Sequence, residues 1–160
     1  MVQGAITEED TEAIINPTDN KFSLDGAISK QIVKKGGQQI SSDCAKLGTL
    51  KDVEMTKAEG QLKCKHLVHV LYPQDSGEFC KIIMKVLPLV DKKQLHSLSI
   101  PFIGTGRRNL QRDEVADNIT LYVVIKAERE YFKSLKLIRL VGFTVVEKAL
   151  FKNKLYKWIK

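Results

Sequence analysis

Short apolar segments of strand length alternate along this chain with amphipathic segments of helical period. The segments with strand patterns are Gln3–Ile6, Ala13–Asn16, Asp52–Thr56, Leu67–Leu71, Ser97–Ile103 and Leu137–Phe143. The segments with helical patterns are Ala27–Lys35, Glu78–Leu87, a helix capped by Asp113, and the tail from Val146. This alternation predicts an α/β protein with helices on both faces of one sheet. The length of 160 residues matches the size of one domain, so we expect a single domain over residues 1–160.

Proline and glycine indicate where several of these segments end. We expect Pro17 to end the second strand, because proline lacks the N–H that a sheet uses. Gly36 and Gly37 are typical of the end of a helix. Pro88 is expected either to end the helix before it or to kink that helix.

The charge balance favours anionic partners without choosing among them. Lysine and arginine number 26 against 19 aspartates and glutamates, so the net charge is +7. That charge raises the encounter rate with nucleic acid, phosphorylated ligands and acidic proteins alike. No apolar run approaches the ~20 residues that cross a bilayer, and no basic-then-apolar leader opens the sequence. We therefore expect no membrane association and an intracellular location, nuclear or cytoplasmic.

The cysteines support that location. Cys44, Cys64 and Cys80 form no CxxC pair, and no histidine lies at zinc-ligand spacing from them. We expect three free thiols packed in the interior, which suits a reducing compartment, and no metal site.

Two loops follow predicted strands and are candidates for a ligand site, because ligands of α/β sheets bind beyond the carboxyl ends of the strands. In the loop 16–29, Gly26 precedes a helix whose unpaired N–H groups favour phosphate. In the loop 101–110, Gly104-Thr105-Gly106 could curl its amides around an anion. The sequence of neither loop is that of a Walker A motif or a dinucleotide fingerprint. Each loop is compatible with a phosphate site or with a tight turn.

Neither loop supplies a pair of residues for general acid–base chemistry. His66, His69 and His96 lie in or beside apolar runs, and we expect His69 to be a core residue. No catalytic residue is assigned. The residues favour a phosphate-bearing ligand that is bound without being transformed.

Taken in order, these motifs resemble the macrodomain family of ADP-ribose-binding modules. Within that family the chain is similar to the macro modules of histone variants and to the tandem macro modules of large ADP-ribosyltransferases. The resemblance covers nearly the whole chain, with the first family strand shortened or absent. The segments that carry it are Gly4–Thr7, Glu12–Thr18, Gly26, Lys34–Gly37, Leu62–Val70, Ser97–Gly106 and Val115–Ile119.

The resemblance implies a three-layer α/β/α sandwich with a mixed central sheet and with ADP-ribose across the crest of the sheet. ADP-ribose would be a ligand, and no cofactor is implied. By position, Gly26 and Ala27 would contact the diphosphate, and the segment 99–109 would form the opposite wall. Phe143 would lie against adenine, and Asn16 near the distal ribose. The ligand-binding residues implied in this way are Ile6, Asn16, Asp25, Gly26, Ala27, Ile28, Ser99, Pro101, Ile103, Gly104, Thr105, Gly106, Arg107 and Phe143.

The chain departs from the family pattern at three positions. Ala5 replaces the aspartate that commonly accepts a hydrogen bond from adenine. Losing such a bond costs about 1.5–3 kcal/mol, which is roughly tenfold to hundredfold in affinity. Asp19 stands where the hydrolytic branches commonly have asparagine. Asp25 would repel a diphosphate beside it.

The expected function is a reader that binds ADP-ribose or mono-ADP-ribosylated protein, chromatin proteins included, as a monomer. One alternative is an ADP-ribosyl hydrolase in which Asp19 or Asp25 orients water. Another is a scaffold of a chromatin or signalling protein that no longer binds ligand. Nucleic-acid binding is disfavoured, because Phe151, Leu155 and Trp158 lie at helical spacing and predict a packing face.

Overall fold

A computed structural model describes residues 1–106 and 108–159. The strands within these residues are β1 (Val2–Gln3), β2 (Ala13–Thr18), β3 (Val53–Lys57), β4 (His66–Leu71), β5 (Ser97–Pro101) and β6 (Leu137–Gly142). The helices are α1 (Ala27–Gly36), α2 (Gln38–Leu47), α3 (Glu78–Lys92), α4 (Arg112–Arg129) and α5 (Val145–Trp158), with a short 3₁₀ turn at Ile6–Glu8.

The strands form one sheet in the order β1-β6-β5-β2-β4-β3. All neighbouring pairs are parallel except β3 with β4, which is antiparallel. The prediction of a mixed central sheet is therefore confirmed. The chain passes from β2 to its neighbour β4 and then, through α3, to β5 on the other side of β2. A reversal of this kind marks the place where α/β proteins bind ligands.

Alternating side chains of the strands fill two hydrophobic layers. Ile14 packs on one face against α1 and α2, in a cluster that includes Ile32 and Ile40. Ala13 and Ile15 pack on the other face, in a cluster formed by α3, α4 and the buried Phe151 of α5. The arrangement is the expected three-layer α/β/α sandwich.

β2 does not end at Pro17, and this prediction was wrong. The strand continues to Thr18, with Pro17 in register with Val70 of β4. Its pairing with β5 stops at Ile14. Beyond that residue β2 has a hydrogen-bonded neighbour on one side only, so it behaves as an edge strand, in which proline is tolerated.

Other helix and strand boundaries also differ from the predicted ones. α3 continues past Pro88 to Lys92, so the proline does not end the helix, and the turn after it buries Val90 in the core. α4 begins at Arg112 with Gln111 as its N-cap, so Asp113 lies in the first turn instead of capping the helix. The first strand is shorter than predicted, since Ile6 starts the 3₁₀ turn. β5 and β6 also end earlier than predicted, at Pro101 and Gly142.

α2 was not predicted at all. Its sequence is largely polar, and of its residues only Ile40 and Cys44 are buried. Gly37, with a φ of 82°, separates α2 from α1. The two buried positions are too few to produce a clear helical period.

The three cysteines differ in how deeply they are buried. Cys44 and Cys64 are buried, Cys80 is partly buried, and all three are free. Burial raises the pKa of the Cys44 and Cys64 thiols to about 11. Among the described residues no helix is both long enough and apolar enough to span a membrane.

Candidate functional site

A cleft of about 410 Å³ opens at the carboxyl ends of the parallel strands. Its volume falls in the range of small-molecule sites. The lining consists of connecting segments after the strands, the ends of β2, β5 and β6, and residues near the starts of α1, α4 and α5. The residues that line it are Gly4, Ala5, Ile6, Pro17, Asp25, Gly26, Ala27, Ile28, Gln31, Tyr72, Pro101, Phe102, Gly104, Thr105, Gly106, Arg112, Val141, Phe143 and Glu147.

The first wall of the cleft is the loop that leads into α1. Gly26 is the N-cap of α1 and receives no side-chain cap, so the first N–H groups of the helix are left without partners from the capping residue. Ser23 Oγ lies between two carboxylates, 2.6 Å from Asp19 Oδ2 and 2.8 Å from Asp25 Oδ1. The hydroxyl has one proton, so it donates to one of these carboxylates at a time.

The second wall is the loop after β5. Gly104 has a φ of 83°, and a Cβ at this position would come within 2.8 Å of the Leu110 side chain. The loop is closed by a hydrogen bond from Leu110 N to Gly104 O at 2.9 Å. Thr105 and Gly106 face the cleft beside it. Arg107 lies outside the described residues.

The far end of the cleft is apolar. Ile6, Val141 and Phe143 line it, and Phe143 is 65% exposed. Ala5 lies here too and offers no hydrogen-bond acceptor on its side chain. An exposed aromatic ring at the rim of a cleft provides a flat apolar surface against which a base can stack.

Glu147 fixes the main chain at this end. Its carboxylate accepts hydrogen bonds from Phe143 N at 2.8 Å and Thr144 N at 3.3 Å, while Thr144 Oγ1 accepts from Glu147 N. This capping box begins α5. Arg112 Nε donates to the other oxygen of Glu147 at 3.1 Å. The Glu147 side chain is buried, so its hydrogen bonds are shielded from water.

Of the implied ligand residues, ten line the cleft. They are Ile6, Asp25, Gly26, Ala27, Ile28, Pro101, Gly104, Thr105, Gly106 and Phe143. Asn16, Ser99 and Ile103 are not among the residues that line it, and their contact with a ligand stays a prediction.

Asn16 is fully buried and serves a different purpose. Its Oδ1 accepts a hydrogen bond from Ser29 Oγ at 2.8 Å, and its Nδ2 lies 3.0 Å from Nδ1 of His69. Because Ser29 lies in the first turn of α1, this network joins that turn to β2 and β4. Nε2 of His69 lies 2.8 Å from Oγ1 of Thr56.

His69 is a core residue, as predicted. It is fully buried, and its ring contacts Phe22 edge to face. Burial lowers the pKa of His69 to about 4. The imidazole is therefore neutral at physiological pH.

Ser99 and Ile103 are held by interior contacts. Ser99 Oγ lies 2.8 Å from Thr11 Oγ1 and donates to Glu9 Oε2 at 2.9 Å. The Ile103 side chain belongs to the core cluster beneath α3 and α4. Both residues lie close to the cleft in sequence, but their side chains point elsewhere.

Sequence reasoning missed four polar or aromatic cleft residues. Gln31, Tyr72, Arg112 and Glu147 all line the cleft. Only Glu147 had a readable signal, because the sequence Thr144-Val-Val-Glu147 is that of a capping box. The others come from elements whose packing the sequence does not reveal.

Within the described part of the chain, no group of three histidines, cysteines or acidic residues could hold a metal ion. Among the residues that the structure describes, the charged side chains that line the cleft are Asp25, Arg112 and Glu147. Two of these are bonded to each other, so the cleft is lined mainly by main chain, apolar side chains and glycine.

The fold and the sequence match known proteins. The chain matches the Macro domain family over residues 15–119. It is 29% identical over 144 residues to the human protein mono-ADP-ribosyltransferase PARP14, an alignment that covers 89% of this chain and 8% of that protein.

Two solved structures share the fold. The Oceanobacillus iheyensis macrodomain with ADP has a TM-score of 0.89 at 21% identity, covering 98% of this chain and 89% of that one. The Trypanosoma brucei macrodomain in complex with ADP-ribose has a TM-score of 0.87 at 19% identity, covering 94% of this chain and 66% of that one. With its sheet order, its crest cleft and the match over residues 15–119, this chain belongs to the Macro domain family.

Proposed function

We propose that the cleft binds ADP-ribose, free or attached to a mono-ADP-ribosylated protein, and that the protein acts as a reader. The observation that carries this proposal is the continuity of one cleft from an apolar end at Phe143 to the two glycine-containing walls. A flat apolar surface suits a purine, and main-chain groups at a helix start and a glycine turn suit a diphosphate. The Trypanosoma brucei macrodomain, similar in fold, is a complex with ADP-ribose.

A reader fits the carboxylates better than a hydrolase does. Asp19 does not line the cleft, and it accepts hydrogen bonds from Lys21 N, Ser23 N and Ser23 Oγ. A carboxylate engaged in this way is poorly placed to take a proton from water. The hydrolase alternative therefore depends on Asp25, which does line the cleft.

The partner that we propose is an ADP-ribosylated protein inside a reducing compartment, nuclear or cytoplasmic, chromatin proteins included. The free thiols and the net charge of +7 support this partner class. Pull-down of ADP-ribosylated against unmodified nucleosomes would test the chromatin case, and equal recovery of the two would exclude it.

Calorimetric titration with ADP-ribose tests the reader. We expect saturable binding that Phe143→Ala weakens by about tenfold or more, since stacking of a base on an aromatic ring contributes about 1–3 kcal/mol. Tyr156→Ala is the matched control, because Tyr156 is also exposed but does not line the cleft. Absence of binding at millimolar ADP-ribose, with the protein folded, would refute the proposal.

A separate assay distinguishes the reader from the hydrolase. The protein is incubated with a substrate protein that carries labelled ADP-ribose on its carboxylates, and released label is measured. A reader releases no label. Release that Asp25→Ala abolishes, while ADP-ribose still binds, would establish the hydrolase instead.

A further inference from the structure

The connection between β4 and α3 passes between the two walls of the cleft. The main-chain N–H of Tyr72 donates to Thr18 O at 3.0 Å, which ties the start of this connection to β2. Pro73 lies beside Gly104, where a Cβ on the glycine would approach it to 3.3 Å. Gln74 Oε1 accepts a hydrogen bond from Arg108 Nη1 at 3.0 Å. The main chain at Tyr72 is therefore tied to β2, and the two residues after it lie against the second wall.

The Tyr72 side chain reaches back to the first wall. Its hydroxyl lies against Gly26, in the space that a Cβ at that position would take, and its Cζ would lie 3.3 Å from that Cβ. Both residues line the cleft. The absence of a side chain at Gly26 thus makes room for the Tyr72 hydroxyl. The diphosphate that the family resemblance implies beside Gly26 would need the same room.

This contact closes the approach to the start of α1. A phosphate that accepts hydrogen bonds from the first N–H groups of α1 needs to lie close to Gly26. The Tyr72 hydroxyl occupies part of that space. Because the main chain of Tyr72 is fixed, the hydroxyl leaves only if the side chain rotates.

We propose that Tyr72 determines the ligand specificity of the cleft as a side-chain gate over the diphosphate position. This inference rests on the proposed function. In the closed position the cleft accepts a nucleoside but excludes a diphosphate beside Gly26. A ligand that requires the open position binds with an affinity reduced by the fraction of molecules that are open.

The test compares wild type, Tyr72→Ala and Tyr72→Phe by titration with ADP-ribose and with adenosine, which carries no phosphate. We expect Tyr72→Ala to bind ADP-ribose about tenfold more tightly than wild type, while the adenosine affinity changes less than twofold. Tyr72→Phe keeps the ring but lacks the hydroxyl, so its affinity for ADP-ribose should fall between the two. Equal melting temperatures establish that all three proteins are folded.

The outcomes separate the gate from the reader. Binding of ADP-ribose that is about tenfold tighter to Tyr72→Ala than to wild type, with the adenosine affinity unchanged, supports the gate. Equal affinity of wild type and Tyr72→Ala for ADP-ribose overturns the gate and leaves the reader intact. Weaker binding of ADP-ribose to Tyr72→Ala and Tyr72→Phe than to wild type also overturns the gate, because the hydroxyl would then be a donor to the phosphate. Binding to none of the folded proteins refutes the reader, and the gate with it.

A second measurement reports on the side chain directly. In protein with labelled tyrosine, the Tyr72 ring signal is identified among the four tyrosines by its loss in Tyr72→Phe. We expect that signal to shift with ADP-ribose and not with adenosine. A Tyr72 ring that ADP-ribose leaves unchanged would contradict the gate.

Discussion

Replacing His69 with glutamine should remove much of the acid sensitivity of folding between pH 7 and pH 5. His69 is buried, and its pKa falls from an ordinary 6.5 to about 4 because burial disfavours the charged ring. Below pH 6.5 the unfolded chain binds a proton at this position that the folded chain does not. The stability that the neutral ring contributes is therefore complete above pH 6.5 and is lost as the pH falls toward 4.

The hydrogen bonds around the His69 ring also favour its neutral form. Asn16 Oδ1 accepts from Ser29, which leaves Nδ2 to donate to Nδ1 of His69. A proton on Nδ1 would set two N–H groups against each other unless the amide turned over. Nε2 then carries the proton of the neutral ring and donates to Thr56.

The magnitude follows from the two pKa values. A difference of one unit corresponds to about 1.4 kcal/mol, so a folded pKa about 2.5 units below the unfolded one corresponds to roughly 3 kcal/mol at full protonation. Between pH 7 and pH 5 the expected loss is about 2 kcal/mol. Glu12 and Asp91, whose pKa values are lowered by main-chain hydrogen bonds, lose their contributions mainly at lower pH.

Urea unfolding at pH 7 and pH 5 measures this loss for wild type and His69→Gln, and His66→Gln is measured beside them because burial also lowers the pKa of His66. The change in unfolding free energy should be about 2 kcal/mol smaller in His69→Gln than in wild type. The result that would refute the reasoning is an equal change in these two proteins. A pKa near 6.5 for the His69 ring of wild type, measured by NMR titration, would refute it independently of whether the variant folds.

Three further predictions concern the cleft. Ala5→Asp should tighten ADP-ribose binding by about tenfold to a hundredfold, because the new carboxylate supplies a charged acceptor at the apolar end of the cleft. An unchanged affinity in titration calorimetry would show that adenine does not lie beside residue 5. Gly142→Ala should lower the unfolding free energy by about 1–3 kcal/mol, because the new Cβ would come within 2.8 Å of the main chain of α5. Gly106→Ala is the control, because its Cβ would meet no atom within 4 Å. Equal denaturant midpoints for the two variants would contradict the close approach. Glu147→Ala should lower the unfolding free energy by about 1–3 kcal/mol by leaving two main-chain N–H groups unpaired. It should also weaken ADP-ribose binding, because the main chain of Phe143 loses its hydrogen bond to Glu147. Glu147→Gln keeps an acceptor and should retain most of the stability and most of the affinity.

The sequence predicted the layers of the fold because apolar period and burial are local properties. The apolar run Leu67–Leu71 predicted a strand, and β4 runs from His66 to Leu71 with its four central residues buried. Pro17 misled because its cost depends on whether a neighbouring strand pairs with it. That neighbour, β5, diverges after Ser99, which no local pattern reveals.

The site was predictable where the main chain forms it and less so where side chains do. Gly26 and Gly104 mark turns that any glycine in such a loop suggests, and both line the cleft. Asn16 and Tyr72 show the limit. The Asn16 side chain lies in an interior hydrogen-bond network, and the Tyr72 side chain enters the cleft from a loop that the motifs do not include. Tertiary packing therefore determines the position of both side chains.

The walls of the cleft are strand ends and glycine turns, so its outline follows the path of the polypeptide. Substitutions on the outer faces of the surrounding helices are therefore expected to leave that outline unchanged. New preferences among nucleotides are then expected to arise at the few positions whose side chains enter the groove. A library randomised at those positions alone would sample most of the recognition that this scaffold can evolve.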